Sequence, residues 1–345
     1  MGVALGVCLV MLFTGLARGM SNDLQRRSSN VRAEIIFRRP GSQQLTASSA
    51  DLPVRYAELL REIEGVEAVV PVIRYVSQGG SGFGFEQIEG IDWPSFAAMN
   101  GMSMIEGRAP TANDEIIIDE TKARTANLRP GSTLNLIGGQ AFRVTGIYTP
   151  ESGARIKMTL GAMQEVLGSP DKCSYIFIKC REGVEAQTVA ARINETLPGN
   201  SIQFTRDIIT NLENRIPYLG TFLRVLVGLA AIVSALVVML AMYTTVTERT
   251  REIGILKALG ASRSYIVATI EKEAILISVI GLIVGFAAAL IAGTLIHRNY
   301  GLMFEYGWGW AAVAALIGLI GGALGALYPA MRAARLDPVD ALSYD

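Results

Sequence analysis

Hydrophobic and polar positions fall in long blocks along this chain. Apolar runs occupy Gly2–Ala17, Val225–Met242, Ala274–Ile296 and Gly307–Met331. Between the first two lies a long stretch with the short-period patterning of a water-soluble domain. Crossing the hydrocarbon core of a bilayer takes about 20 mostly apolar residues. The last three runs meet that length with their flanks, and the first sits at its short limit. The pattern predicts an α-helical membrane protein with four transmembrane helices plus an α+β extracytoplasmic domain inserted between helices 1 and 2. The segments read as transmembrane helix 1 over 1–17, the inserted domain over 18–216, helix 2 over 217–243, a short charged helix over 244–264, helix 3 with an interfacial lead-in over 265–297, helix 4 over 307–331 and a tail over 332–345.

Inside the insert, strand and helix signals alternate. Strands are expected at 31–37, at 66–76 with a break at Pro71, at 85–92 and at 115–119. SYIFIKC and SIQF supply later ones. Helices are expected at 55–65, near Phe96, from 120 through Asn127, at 158–168 and at 184–197. Residues 134–148 read as a hairpin turning on Gly138-Gly139. Turn residues near 90–110 suggest a division into two lobes.

Composition agrees with the blocks. The 345 residues are 50% hydrophobic and only 18% charged, against about 25% charged in soluble domains. Formal net charge is zero and no long basic run occurs, so nothing points to nucleic acid. His297 is the single histidine, which leaves little material for His-based metal sites or His general-base catalysis. Cys173 and Cys180 flank one expected strand, where seven steps separate the sulfurs by roughly 20 Å, too far for a disulfide. With Cys8 they read as free thiols or small core hydrophobes.

The short loops set the orientation, because Lys and Arg favour the cytoplasmic side. The stretch 244–273 holds Arg249, Arg251, Lys257, Arg263 and Lys272, whereas 297–306 holds only Arg298. The charged helix and the C-terminus therefore face the cytoplasm, and the insert lies outside it. The first span begins without a basic lead-in, which suggests an uncleaved helix with its upstream segment missing. Gly15-Leu16-Ala17 keeps open a signal-peptide cleavage site. Ionisable residues are absent from the middle of the spans, which argues against an ion-coupled carrier. Small residues recur at four-residue spacing instead: Gly281 and Gly285, Ala289 and Gly293, Gly318 and Gly322, and Gly321 and Gly325. Such spacing suits close helix packing within one subunit or a dimer face equally well.

Catalytic patterns are thin. HExxH, GxSxG and clustered Cys/His do not occur, and no G-x4-G-K-[ST] phosphate loop is found. LIGGQ at 136–140 differs by one residue from the LSGGQ signature of ABC ATPases, but it falls in the expected hairpin turn. Glu86, Glu89 and Asp92 read as surface carboxylates on a strand and turn. No catalytic, cofactor or metal site is expected in this chain.

VTERTREIGILKALGA, 246–261, carries more. Ile253, Leu256 and Leu259 form one helical stripe, and Ile255 widens it. Glu248 pairs with Arg251 and Arg249 with Glu252 at i,i+3 spacing, Lys257 adds charge, and Gly260 fits a C-terminal cap. A solvated connector needs polarity but no apolar stripe. A helix lying on lipid favours lysines along its polar edge, whereas this one has two glutamates there. Mixed charge beside a narrow stripe favours docking into a protein groove.

R-x-R-E-I-G-I-L-K-A-L-G-A-S (249–262) after a span resembles the coupling region of the MacB/FtsX-type, or type VII, ABC transporter permeases. The tail YPAMRAARLDPVDAL (328–342) is similar to the family's closing motif. Residues 107–148 resemble its periplasmic core domain, and an FtsX-like permease domain would cover about 217–340. The resemblance implies a separate cytoplasmic ABC ATPase that carries the ATP, with no cofactor in this chain. It also implies a second permease copy or a related permease, and a periplasmic adaptor or outer-membrane channel as further partners. The location implied is the bacterial inner membrane. ATP-driven closure of the ATPase would move the charged helix, and the spans would pass that motion to the outer domain for export, extraction or force transmission. Glu248, Arg249, Arg251, Glu252, Ile253, Leu256, Lys257 and Leu259 would then face the ATPase or support that contact. Gly260 would cap the helix, and Gly281, Gly285, Gly318, Gly322 and Gly325 would pack the spans. The alternative is a membrane-anchored sensor or scaffold that binds a ligand outside the cell. A membrane-bound hydrolase would need residues that the sequence does not offer.

Overall fold

A computed structural model describes residues 2–40, 50–78, 85–207, 217–300 and 302–335. The chain divides into two compact units, one made of Met1–Ser21 and Ile216–Asp345, the other of Asn22–Arg215.

The second unit is an α/β domain around one mixed sheet in the order β12-β1-β11-β3-β4-β9-β6-β8-β5, with β7 paired to β8. Its strands are β1 Ile35–Arg38, β3 Val66–Gln78, β4 Phe85–Ile91, β5 Ser103–Gly107, β6 Glu115–Asp119, β7 Thr133–Asn135, β8 Ala141–Thr149, β9 Ile156–Thr159, β11 Tyr175–Cys180 and β12 Ser201–Phe204. β2 Leu52–Pro53 and β10 Lys172–Cys173 form a separate pair. Short helices cover the sheet: α2 Tyr56–Arg61, α3 Trp93–Asn100, α4 Glu120–Thr125, α5 Leu160–Val166 and α6 Ala186–Thr196. α3, α4 and α5 start on side-chain caps, since Asp92, Asp119 and Thr159 accept from Ser95, Lys122 and Ala162 backbone N–H groups. EIIID is buried at every position because β6 lies between β9 and β8 with both faces covered. The main core gathers Ile73, Ile88, Ile116, Ile118, Ile156 and Met158 from neighbouring strands.

Several expectations change here. One sheet runs through residues 90–110, so no lobe boundary falls there. β3 is not broken at Pro71. That residue pairs with Ile176 of β11 in a stretch flanked on one side only, since β4 joins at Ile73. The hairpin at 134–148 forms, with Leu134 opposite Phe142, but its connection is a 3-10 turn at Ile137–Gly139 rather than a two-residue loop. Gly138 and Gly139 both take positive φ there.

In the first unit, four helices are long and apolar enough to cross a membrane among the described residues. They lie in α1 Gly2–Ser29, α7 Pro217–Glu248, α9 Arg263–Tyr300 and α10 Trp308–Arg335, with α8 Thr250–Ala258 between α7 and α9. All outrun the expected boundaries, because polar helix formers extend a helix beyond its apolar core. α1 passes Ala17 and continues to Ser29, and an i,i+4 pair, Asp23–Arg27 at 3.1 Å, supports its last turns. The domain therefore begins at Asn22 rather than at residue 18. α7 runs past Tyr243 to Glu248, which shortens the charged helix from 244–264 to Thr250–Ala258. Arg332 to Arg335 belong to α10 rather than to a tail, while 336–342 of the closing motif lie outside the described residues.

Candidate coupling surface

α8 owes its position to two backbone breaks. Arg249 leaves helical geometry at φ −102°, ψ 17°, ending α7 and starting α8. At the far end Gly260 takes φ +93°, and the Ala261 N–H donates to the Leu256 carbonyl over 3.0 Å. That six-to-one bond with a left-handed residue is a Schellman cap, which glycine allows without Cβ strain. Ser262 then accepts from the Tyr265 N–H at 3.2 Å and caps α9.

The stripe expected from spacing divides. Ile253 is 8% exposed and packs in a cluster with Val246, Ile266, Ile270, Ala333 and Ala334. Removing such a side chain from water contributes about 1.5–3 kcal/mol. Leu256 and Leu259 point outward, at 42% and 81% exposure, joined by Ile255 at 45% and Tyr265 at 58%. Glu248, Arg251 and Glu252 are exposed. Glu248 lies on α7 rather than on α8.

Lys257 works inward, whereas Arg249 is exposed and makes a surface pair. The Lys257 ammonium donates to the Ala334 carbonyl at 3.0 Å, in the last turn of α10, where a cation also meets the negative end of the helix dipole. Arg249 reaches Glu273 of α9 at 3.4 Å. Arg332 of α10 donates to the Tyr243 hydroxyl of α7 at 3.1 Å and lies over its ring. α8 is thus tied on one side to α9 and α10, while its tip presents Ile255, Leu256 and Leu259 with Arg251 and Glu252 beside them. Nothing in the sequence marks Glu273 or the Ala334 carbonyl as partners of α8, and only the fold places them beside it.

The small residues meet neighbouring helices of the same chain. A Cβ on Gly285 would lie 2.6 Å from the Ala4 carbonyl oxygen, one on Gly281 3.0 Å from Val3 Cβ, and one on Gly318 3.2 Å from Val3 Cγ1. At Gly322 it would overlap Ser278 Oγ, and at Gly325 the Ala235 carbonyl oxygen.

In the outer domain Glu89 is not a surface carboxylate. It is fully buried, contacting Lys157 at 2.7 Å and Arg74 at 2.8 Å and accepting from the Tyr175 hydroxyl at 3.1 Å. Burial alone would raise its pKa, but the Lys157 and Arg74 cations hold it well below the carboxylate range. Lys157 also donates to the Ser152 and Ala154 carbonyls. The Glu89 carboxylate and the Lys157 ammonium are both spent on their neighbours, so the network braces the core. Glu86 pairs with Lys122, and Asp92 caps α3. Among the described residues no group of His, Cys, Asp and Glu is arranged to hold a metal. Burial pushes the Cys173 thiol up to about 12 and the Cys180 thiol up to about 11, so both stay protonated at neutral pH.

Comparison with known proteins adds the family context. Residues 1–196 match the MacB-like periplasmic core domain, and residues 224–338 match the FtsX-like permease C-terminal region. The macrolide export ATP-binding/permease protein MacB of Rhodospirillum rubrum is 28% identical over 99% of this chain, which spans 57% of that relative's length. The ABC transporter permease YknZ of Bacillus subtilis is 22% identical over all of this chain and 94% of its own length. The crystal structure of the periplasmic region of MacB from Actinobacillus actinomycetemcomitans overlays 54% of this chain and 94% of its own at TM-score 0.41 and 19% identity.

Proposed function

The chain belongs to the MacB/FtsX-like family of ABC transporter permeases, and from that premise we propose that α8 is the docking element for an ABC ATPase. In this reading the chain is the membrane subunit. It sits in the bacterial inner membrane with its α/β domain outside the cytoplasm. Hydrolysis by a separate ATPase moves α8, and the spans carry that movement to the outer domain for export, extraction or force transmission. ATP binds on the ATPase, and this chain contributes no catalytic residue. A second permease copy completes the membrane part, and a periplasmic adaptor or outer-membrane channel is a further partner.

The observation that supports docking most is the split of α8. Its inner side is anchored through Ile253 and Lys257, with Arg249 adding a surface pair to Glu273, and its tip leaves Leu259 81% exposed beside Leu256 and Ile255. A helix that only joined two spans would gain nothing from large apolar side chains held in water, each costing on the order of 25 cal/mol per Å². Anchoring on one side and stickiness on the other suit a part that receives force and passes it on. Arg251 and Glu252 flank the apolar tip and suit a partner groove with charges of both signs.

The test is co-purification and ATPase stimulation with Leu256→Asp/Leu259→Asp and, separately, Arg251→Glu/Glu252→Arg. The expected outcome is loss of both readouts with normal membrane insertion. Unchanged stimulation in both variants would overturn the reading.

A further inference from the structure

The segment between α9 and α10, residues 302–307, does more than join them. Its backbone and side chains are seated on the main chains of two helices. The Glu305 N–H donates to the Gly15 carbonyl of α1 at 3.1 Å. The Tyr306 hydroxyl donates to the Ala289 carbonyl of α9 at 2.9 Å. His297 Nδ1 lies 2.8 Å from the Leu302 carbonyl and braces the start of the segment.

Glycines clear the way on both helices. A Cβ on Gly15 would stand 3.4 Å from the Tyr306 ring and 3.5 Å from Phe304. On Gly19 it would overlap the Met303 carbonyl, and on Gly293 the Tyr306 hydroxyl. Arg18 packs against Gly307 from the same side of α1. Contacts made to helix backbone fix depth and rotation more tightly than side-chain contacts, because the backbone has no rotamers to yield.

We propose that residues 302–307 form a wedge that makes α1 and α9 move as one body, with Tyr306 and Gly293 as its positioning residues. α9 is the span that receives α8 through Arg249–Glu273. Two spans join the outer domain directly in sequence, α1 before it and α7 after it, and α7 already runs to α8. A wedge from α9 to α1 therefore passes cytoplasmic motion to the other of the two. This inference rests on the proposed coupling function for its purpose, but the mechanical linkage stands on the contacts alone.

The experiment uses the full chain in lipid nanodiscs with pairs of bioorthogonal spin labels at exposed positions, Met20 on α1, Ile291 on α9 and Leu229 on α7. In the chain alone, Tyr306→Ala and Gly293→Ala are each expected to make the Met20–Ile291 distance distribution about twofold broader. Gly293→Ala expels the hydroxyl while keeping the tyrosine, so agreement of the two variants excludes a simple loss of bulk. With an ATPase and ATP–vanadate, the parent is expected to shift both Met20 and Ile291 relative to Leu229. In Tyr306→Ala the Ile291 shift is retained and the Met20 shift is lost. An unchanged Met20–Ile291 distribution in both variants, or a full Met20 shift in Tyr306→Ala, would overturn the wedge. Absence of any nucleotide-dependent shift in the parent would count against the coupling function instead, and the chain-alone arm would still decide the wedge.

Discussion

The two units of this molecule solve the packing problem with opposite materials. The outer domain buries charge: Glu89, Lys157 and Asp119 are fully enclosed, and Glu115 is 1% exposed. Among its described residues the membrane unit encloses almost none, and it relies on backbone approach at Gly285, Gly318, Gly322 and Gly325. Water is the reason. Between helices in lipid no hydrophobic gain drives association, so small residues and van der Waals contact hold the bundle. In the domain the hydrophobic core supplies the driving force, and well-partnered charges can be enclosed to fix the register of strands. A buried charge is therefore a structural part outside the membrane, and a glycine is one inside it.

The sharpest way to break that contrast is to orphan a charge. Glu89→Leu leaves Lys157 and Arg74 without their carboxylate and is expected to destabilise the domain by about 3–5 kcal/mol. Denaturant titration of the full chain in detergent, followed through Trp93, measures it. A loss of about 1 kcal/mol or less would mean that the pair behaves like a surface bridge. The corresponding test in the bundle is smaller. Gly325→Val forces a side chain into the Ala235 carbonyl, and overpacking of this kind costs about 1–3 kcal/mol. Gly228→Ala is the control, since nothing lies within 4 Å of a Cβ there. Its thermal midpoint in the same detergent should not fall, and equal losses in both variants would remove the role given to close approach.

Much of this was legible in the sequence, for physical reasons that differ between the units. Spans need only length and apolarity, so the blocks at Val225–Met242 and Ala274–Ile296 announce themselves. Gly260 reads as a cap from its place after an amphipathic turn, and it takes φ +93°. Helix ends were less legible. α1 continues to Ser29 and α7 to Glu248 because polar residues extend a helix without changing its apolar signal. Glu89 was misread because its partners Lys157 and Arg74 come from different strands, and one-dimensional pattern cannot bring them together. The stripe of α8 was visible, but which of its members face inward depends on α10.

pH sharpens the outer half of the comparison. Glu115 accepts hydrogen bonds from Arg108 and from the Thr111 and Ala112 N–H groups, and its pKa falls from 4.5 to about 2. The folded value is the lower one, so its stabilisation is present above about pH 4.5 and is lost as pH falls through about 2. The stability gap between the parent and Glu115→Gln is expected to be largest near neutrality and to close on acidification over that window. A gap independent of pH in denaturant titrations would contradict the assignment. The smallest stability effect belongs to α8. Leu259→Asp at an 81% exposed position is expected to change stability by less than about 0.5 kcal/mol.

That same position gives the most direct measurement of the central claim, that the tip of α8 receives an ABC ATPase. A photocrosslinking amino acid placed at Leu259, and in parallel at the buried Ile253, can be activated in intact cells and the adducts identified by mass spectrometry. The Leu259 probe is expected to capture a nucleotide-binding domain with a phosphate-loop sequence, and the Ile253 probe to capture only residues of this chain. A Leu259 probe that labels lipid or nothing, in cells where the protein is inserted and folded, would contradict it.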